Sequence, residues 1–149
     1  MSKVLAIDYG KKRCGFAISD EDQSIAFPLK TVDNKEIYQY IKNITENENI
    51  EKFVIGLPRN NTNDLFDLEN EIKLFIKKIK LDYPNLGIFR EDERFTSSIA
   101  KLLIAKSDLK KTKRENKKLL DKISATIILQ SFLKNYNDIT NFGIRTSNT

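Results

Sequence analysis

The chain has 149 residues, enough for one domain with a substantial core, and it carries no histidine and one cysteine, Cys14. A Ser-His-Asp triad, a histidine base, histidine metal ligands, internal disulfides and cysteine metal cages are thereby excluded, so catalysis must draw on carboxylates, Lys, Tyr or a metal held by oxygen. The net charge of +5 is local: residues 106–122 hold 8 Lys and Arg against 3 Asp and Glu while the rest balances at 18 and 18, which marks either one polyanion-facing patch or one solvated lysine-rich loop.

Residues 4–8 form an apolar run that ends on Asp8, the pattern of a buried strand. Gly10 and Gly15 bracket Lys11, Lys12 and Arg13, and a second apolar run follows over 14–19, so a hairpin is expected. Asp8 then stands at a strand exit beside three cations, an arrangement suited to a divalent metal next to a phosphate. A solvated hairpin with one turn aspartate fits the same spacing equally well, because short glycine motifs recur by chance. Tyr9 could stack on a nucleotide, although packing is the commoner use of a strand-end tyrosine. Cys14 reads as a small buried apolar residue.

A third strand is expected over 25–32, confined to an edge or a bulge by Pro28. Residues 36–44 place Ile37, Tyr40, Ile41 and Ile44 on one helical stripe, and 47–49 end that helix. Residues 53–57 form a short buried strand closed by Pro58. Its exit carries Arg59 and Asn60, which could contact a phosphate or a base, or could simply form a proline turn. A long amphipathic helix over 64–81 is broken by Pro84 and Gly87, and 87–90 read as the fifth strand, followed by Asp92 and Glu93. Thr96 or Ser97 caps a further helix through Ala105. Arg94, Thr96 and Ser97 would lie at its N-terminus, where an anion could bind or the residues could act as caps only. The basic connector leads to a helix over 119–133, and the polar tail 137–149 is expected to be poorly ordered.

The order β-β-β-α-β-α-β-α-α predicts an α/β fold. Three antiparallel strands and then βα units form a mixed five-stranded sheet with helices on its faces. One domain over 1–136 and a tail over 137–149 are expected. No run of about 18 apolar residues is present, so no membrane span is expected, and Asp8 and Lys11 interrupt any apolar leader; a cytoplasmic protein follows as the expectation.

Asp8, Glu93 and Asp121 all fall at element ends. Ligands of open sheets gather beyond the carboxyl ends of parallel strands, where Asp8 and Glu93 would emerge and to which the last helix could bring Asp121. Three hard oxygen ligands could hold Mg²⁺ or Mn²⁺ for attack on a phosphodiester. Each acid taken singly has a plainer use: Asp121 complements a helix dipole, and Glu93 pairs with Arg94 or Lys101.

Several motifs together resemble the Holliday-junction-resolvase-like family of bacterial pre-16S rRNA nucleases, of ribonuclease-H-like fold. These are Asp8-Tyr9-Gly10 with Lys12, Arg13 and Gly15; Ala17-Ile18-Ser19-Asp20; Pro28-Leu29 with Thr31; and Gly56-Leu57-Pro58 with Asn60. Asp92-Glu93-Arg94-Phe95-Thr96-Ser97, and Asp121 with Ala125 and Ile128-Leu129-Gln130, complete the set. The resemblance spans residues 4–133. It implies a ribonuclease-H-like sheet, a metal site of Asp8, Glu93 and Asp121, and a nuclease that trims the 5′ end of the small-subunit rRNA precursor in the cytoplasm. The substrate would be structured RNA, held by Lys11, Lys12, Arg13, Arg59, Asn60, Arg94 and Thr96, and the protein a monomer or homodimer. Three departures stand out. Asn61-Thr62-Asn63-Asp64 replace the glycines usual in the loop, Ser124 stands where alanine is usual, and Gly56-Leu57 occupy the place where true junction resolvases end a strand on an acid. A resolvase of branched DNA and a non-catalytic RNA-binding assembly factor are the competing readings. A sugar-kinase or actin-like ATPase would need two such domains around a cleft.

Overall fold

In the computed structural model, residues 2–58, 63–92 and 113–141 are described, with the backbone alone for 63–66, 113–122 and 138–141. Five strands form one sheet: β1 (Lys3–Asp8), β2 (Arg13–Ser19), β3 (Ala26–Asp33), β4 (Ile50–Leu57) and β5 (Gly87–Asp92). Their lateral order is β3-β2-β1-β4-β5. β1, β2 and β3 pair antiparallel, whereas β4 and β5 run parallel to β1. The first three strands and the mixed sheet are as the pattern predicts. Pro28 lies on the edge strand β3, beside a register shift in its pairing with β2, so its missing N–H interrupts no central ladder.

β1 is the middle strand, and Val4, Leu5, Ala6 and Ile7 are completely buried. That burial explains the unbroken apolar run, since a strand covered on both faces has no solvent side to alternate with. On one face Leu5 and Ile7 join Phe16, Phe53 and Ile55 beneath the helices α1 (Ile37–Asn47) and α2 (Asn63–Asp82), which contribute Ile37, Ile41, Ile72, Phe75 and Ile79. On the other, Val4, Ala6, Ala17 and Val54 meet α3 (Lys113–Asn141) through Ala125, Ile128, Leu129, Phe132 and Leu133. The bulky aromatic residues thus lie mainly under the helix pair. Small residues lie under α3, where the single helix can come close to the sheet.

The direction of α3 matters for the site. Asn137 donates to the Gln23 carbonyl, and the Lys52 ammonium sits 4.6 Å from the Tyr136 ring centre. Both contacts are at the amino end of β1 and β4, so the helix starts towards their carboxyl end. Gln130 ties the same helix to the β2–β3 turn, accepting from Ala26 N–H and donating to the Ser24 carbonyl. Within that turn the Asp20 carboxylate accepts from Ser24 and Ile25 N–H, and the buried Ser19 hydroxyl accepts from Val4 N–H and donates to the Asp20 carbonyl. Ser124, the departure from alanine, is buried within α3.

Several boundaries differ from the sequence reading. A short 3-10 turn, Asn34–Glu36, precedes α1, which continues to Asn47. β4 begins at Ile50, and β5 continues through Asp92, which therefore ends the strand rather than following it. α3 begins at Lys113, so the second half of the supposed basic connector is helix. Its Lys, Arg and Glu residues are good helix formers, and apolar spacing does not register them. The helix also runs to Asn141, into the segment read as tail. The helix expected over 96–105 lies outside the described residues.

Candidate functional site

The carboxyl ends of β1, β4 and β5 share one edge of the sheet, and Asp8 ends the central strand there, half-buried. Side chains alternate along β1, so Asp8 follows Val4 and Ala6 onto the face covered by α3. Its partner on β2 is Gly15. On β4, one residue beyond the Ile7–Ile55 pair, its neighbour is Gly56. The carboxylate of Asp8 therefore stands in a lateral row with a glycine on either side. Neighbouring strands are about 4.8 Å apart, so neither adjacent position of this row places a side chain against the carboxylate. The next side chain in this row is Glu91, paired with Gly56. Sequence reasoning did not select it. It is turned to α3, where its carboxylate accepts from the Ser131 hydroxyl at 3.0 Å and Asn135 at 3.4 Å.

Immediately after Asp8 the chain makes the basic turn. Lys11 and Lys12 are exposed, and Arg13 begins β2. Gly10 is required: a Cβ there would lie 2.4 Å from the Arg13 carbonyl oxygen. The turn is held from outside by Asn34. Its amide donates to the Gly10 carbonyl at 2.7 Å, and its own N–H donates to the Lys12 carbonyl at 2.8 Å. Asn34 is 24 residues away from Gly10, and no local pattern marks it.

Tyr9 packs. Its ring lies 5.1 Å from that of Phe75, which in turn meets Tyr38 at 5.7 Å. Burial pushes the phenol well above its ordinary pKa, with the Glu71 carboxylate adding to the effect and Asn34 opposing it. Among the described residues, one buried Glu71 carboxylate oxygen meets no hydrogen-bond partner. Cys14 is buried, with its thiol directed to the Gly10 carbonyl.

On the opposite face of the edge, Arg90 of β5 makes a two-pronged ion pair with Glu69 of α2, at 2.7 and 3.0 Å. The same guanidinium donates to the carbonyls of Ile55 at 3.2 Å and Gly56 at 2.8 Å.

Of the residues selected from sequence, Asp8, Lys11, Lys12 and Arg13 are thus brought together at one edge. Arg59, Asn60, Glu93, Arg94 and Thr96 lie outside the described residues. Position 121 falls one helical turn before Ala125 in α3, and the Asp121 side chain is outside the described residues. Among the described residues no three carboxylate or thiol groups form a metal cluster. The donor chemistry fits a hard cation: histidine is absent, the only thiol is buried, and Asp8 supplies carboxylate oxygens beside two glycines.

A family model described as "RuvX: Holliday junction resolvase" matches residues 2–135. A Bacteroides fragilis protein named "Putative pre-16S rRNA nuclease" is 43% identical over 134 residues, covering 90% of this chain and 97% of the relative. A protein of the same name from Karelsulcia muelleri is 48% identical over 141 residues, covering 90% and 99%. Among solved structures, T. thermophilus RuvC in complex with a Holliday junction substrate shares the fold, with a TM-score of 0.57 at 10% identity over 92% of this chain and 97% of that one.

Proposed function

The chain belongs to the RuvX Holliday junction resolvase family, and from that membership we propose a metal-dependent nuclease that hydrolyses RNA phosphodiesters and processes the 5′ end of pre-16S rRNA. The observation that carries this reading is Asp8: a half-buried carboxylate on the central strand, a glycine on each side, and a basic turn beginning three residues later. In this reading Asp8, Glu93 and Asp121 hold Mg²⁺ or Mn²⁺. When bound, the ion would polarise the scissile phosphoryl group and make an attacking water more acidic. Lys11, Lys12 and Arg13 neutralise backbone phosphates without reading bases. Arg59, Asn60, Arg94 and Thr96 are assigned to the flanking strand. Among the described residues no helix is long and apolar enough to cross a membrane, and the cytoplasm, where rRNA is processed, is the proposed location.

The test uses purified protein and an RNA carrying the 5′ leader of the small-subunit precursor. Asp8→Asn should keep the far-ultraviolet circular dichroism of the parent and lose Mg²⁺-dependent cleavage. Cleavage undiminished in this variant removes the assignment. A four-way DNA junction in the same assay weighs the second reading, which the family description favours. Preferential, symmetric cutting of the junction by a dimer would replace RNA by branched DNA as the substrate.

A further inference from the structure

We infer that Arg90 is a positioning residue for the Asp8 edge, acting through the main chain of β4; the catalytic part of this inference rests on the nuclease reading above. Arg90 is paired with Ile55 in the sheet, which is paired with Ile7. Its side chain lies on the α2 face, opposite to that of Asp8. From there it donates to two successive carbonyls of β4, Ile55 and Gly56. The Gly56 carbonyl belongs to the peptide that follows Asp8's lateral neighbour. Both terminal nitrogens also donate to Glu69, one to each carboxylate oxygen. Both side chains are largely buried, at 24% and 21% exposed, so the pair is shielded more than a surface ion pair.

The planar fork of a guanidinium explains why arginine stands here. One group satisfies two carbonyls and a carboxylate in fixed directions, which a lysine ammonium on a flexible stem cannot do. The pairing of β4 with β1 ends at Ile55 while its pairing with β5 continues to Leu57, so Arg90 supplies donors where β4 loses one of its two neighbours, and without it the Gly56 peptide would be held from the β5 side alone. Gly56 has no side chain to resist rotation of that peptide. Arg90 therefore fixes the wall beside the Asp8 carboxylate and joins α2, β4 and β5 at the edge where the metal would sit. No motif marks this residue; it precedes the acidic run and reads as an ordinary charge on a strand.

The experiment compares the full chain with Arg90→Lys and with Glu69→Gln, both mild enough to keep a fold if Arg90→Ala does not. Amide hydrogen exchange without metal or RNA reads the main chain directly. Exchange at Gly56 and Leu57 should accelerate in both variants while the amides of Val4 to Ile7 stay protected. Mn²⁺ titration of RNA cleavage reads the consequence. Half-maximal cleavage should require about 10-fold more Mn²⁺ in Arg90→Lys, with the rate at saturating Mn²⁺ closer to the parent's. A variant with a lower Tm but unchanged exchange at Gly56 and Leu57 and an unchanged Mn²⁺ requirement would overturn the inference, leaving Arg90 a stability residue only. If the parent protein does not cleave RNA with any metal, the nuclease reading fails, and the exchange result alone decides whether Arg90 holds the edge.

Discussion

Replacing Asn34 by alanine tests whether the basic turn is held by this one side chain. The amide donates to the Gly10 carbonyl at 2.7 Å, and the N–H of the same residue donates to the Lys12 carbonyl. The substitution removes the first bond, together with the side-chain contacts to Tyr9 and the Cys14 sulfur, and leaves the second. The Gly10 carbonyl then keeps only the weak thiol donor of Cys14, and a part-buried carbonyl that loses its strong donor costs about 1–3 kcal/mol. At roughly 3 °C per kcal/mol for a domain of this size, a loss of about 2 kcal/mol lowers Tm by about 6 °C. The assay is thermal unfolding followed by circular dichroism, with urea unfolding to confirm that the midpoint moves at constant m. The turn should also loosen locally, so RNA affinity should fall and its dependence on salt should become shallower as Lys11 and Lys12 lose a fixed position. Asn34→Asp is the informative second variant: it keeps the shape, removes the donor and adds a charge near Tyr9 and Glu71, and it should be worse than alanine. Unchanged Tm in Asn34→Ala would refute the reasoning, because it would mean that the Gly10 carbonyl finds water without loss.

Two further outcomes follow from the geometry. Gly10→Ala would place a methyl group 2.4 Å from the Arg13 carbonyl oxygen, a backbone atom already committed to a strand. The turn must open, at a cost of about 1–3 kcal/mol, read as a lower urea midpoint together with weaker RNA binding. Asp20 governs acid stability at the other end of the sheet. The N–H groups of Ser24 and then Ile25 hold its carboxyl below the ordinary value of 3.8. Its contribution is therefore complete above the unfolded value and is lost as pH falls through the lower folded value. Asp20→Asn should flatten the decline of the urea midpoint below about pH 4, and an unchanged slope would show that the turn's hydrogen bonds do not favour the charged form.

The parts of the fold that local pattern reveals are those where burial and period coincide. β1 and β2 are legible because they are apolar runs bounded by glycine, and α1 and α2 because their buried residues recur on one stripe. The beginning of α3 was missed because Lys-rich helix carries no apolar stripe to count. At the site, Asp8 is legible as a charged residue ending a buried strand. Glu91, Arg90 and Asn34 are not. The importance of each depends on register or on a contact between distant segments: Glu91 through its row with Asp8, Arg90 through carbonyls 34 and 35 residues away, Asn34 through a carbonyl 24 residues away. Gly15 and Gly56 were visible as residues, yet only the register of β2 and β4 against β1 shows that they frame one carboxylate.

Among the described residues the charge at this edge is graded, and the gradient would give the proposed metal a second task. Lys11, Lys12 and Arg13 lie at the β1–β2 side, whereas Glu91 and Asp92 end β5 on the other side of Asp8. Among the described residues, Lys11 and Lys12 would draw a polyanion to the turn, and Glu91 and Asp92 would oppose it beside β5. Two like charges about 4 Å apart repel by roughly 1 kcal/mol in water and about 4 kcal/mol where the surroundings are less polar, so a phosphate beside Asp8 is opposed by an amount comparable to several lysine contacts. A divalent cation at Asp8 would reverse that sign locally and so favour a backbone lying across the row of Gly15, Asp8 and Gly56 in the proposed reading. In the proposed reading, cleavage that requires the metal and a scissile phosphate that settles in its presence would both follow from this arrangement, with cations where the strand would first be held and acids where it would be cut.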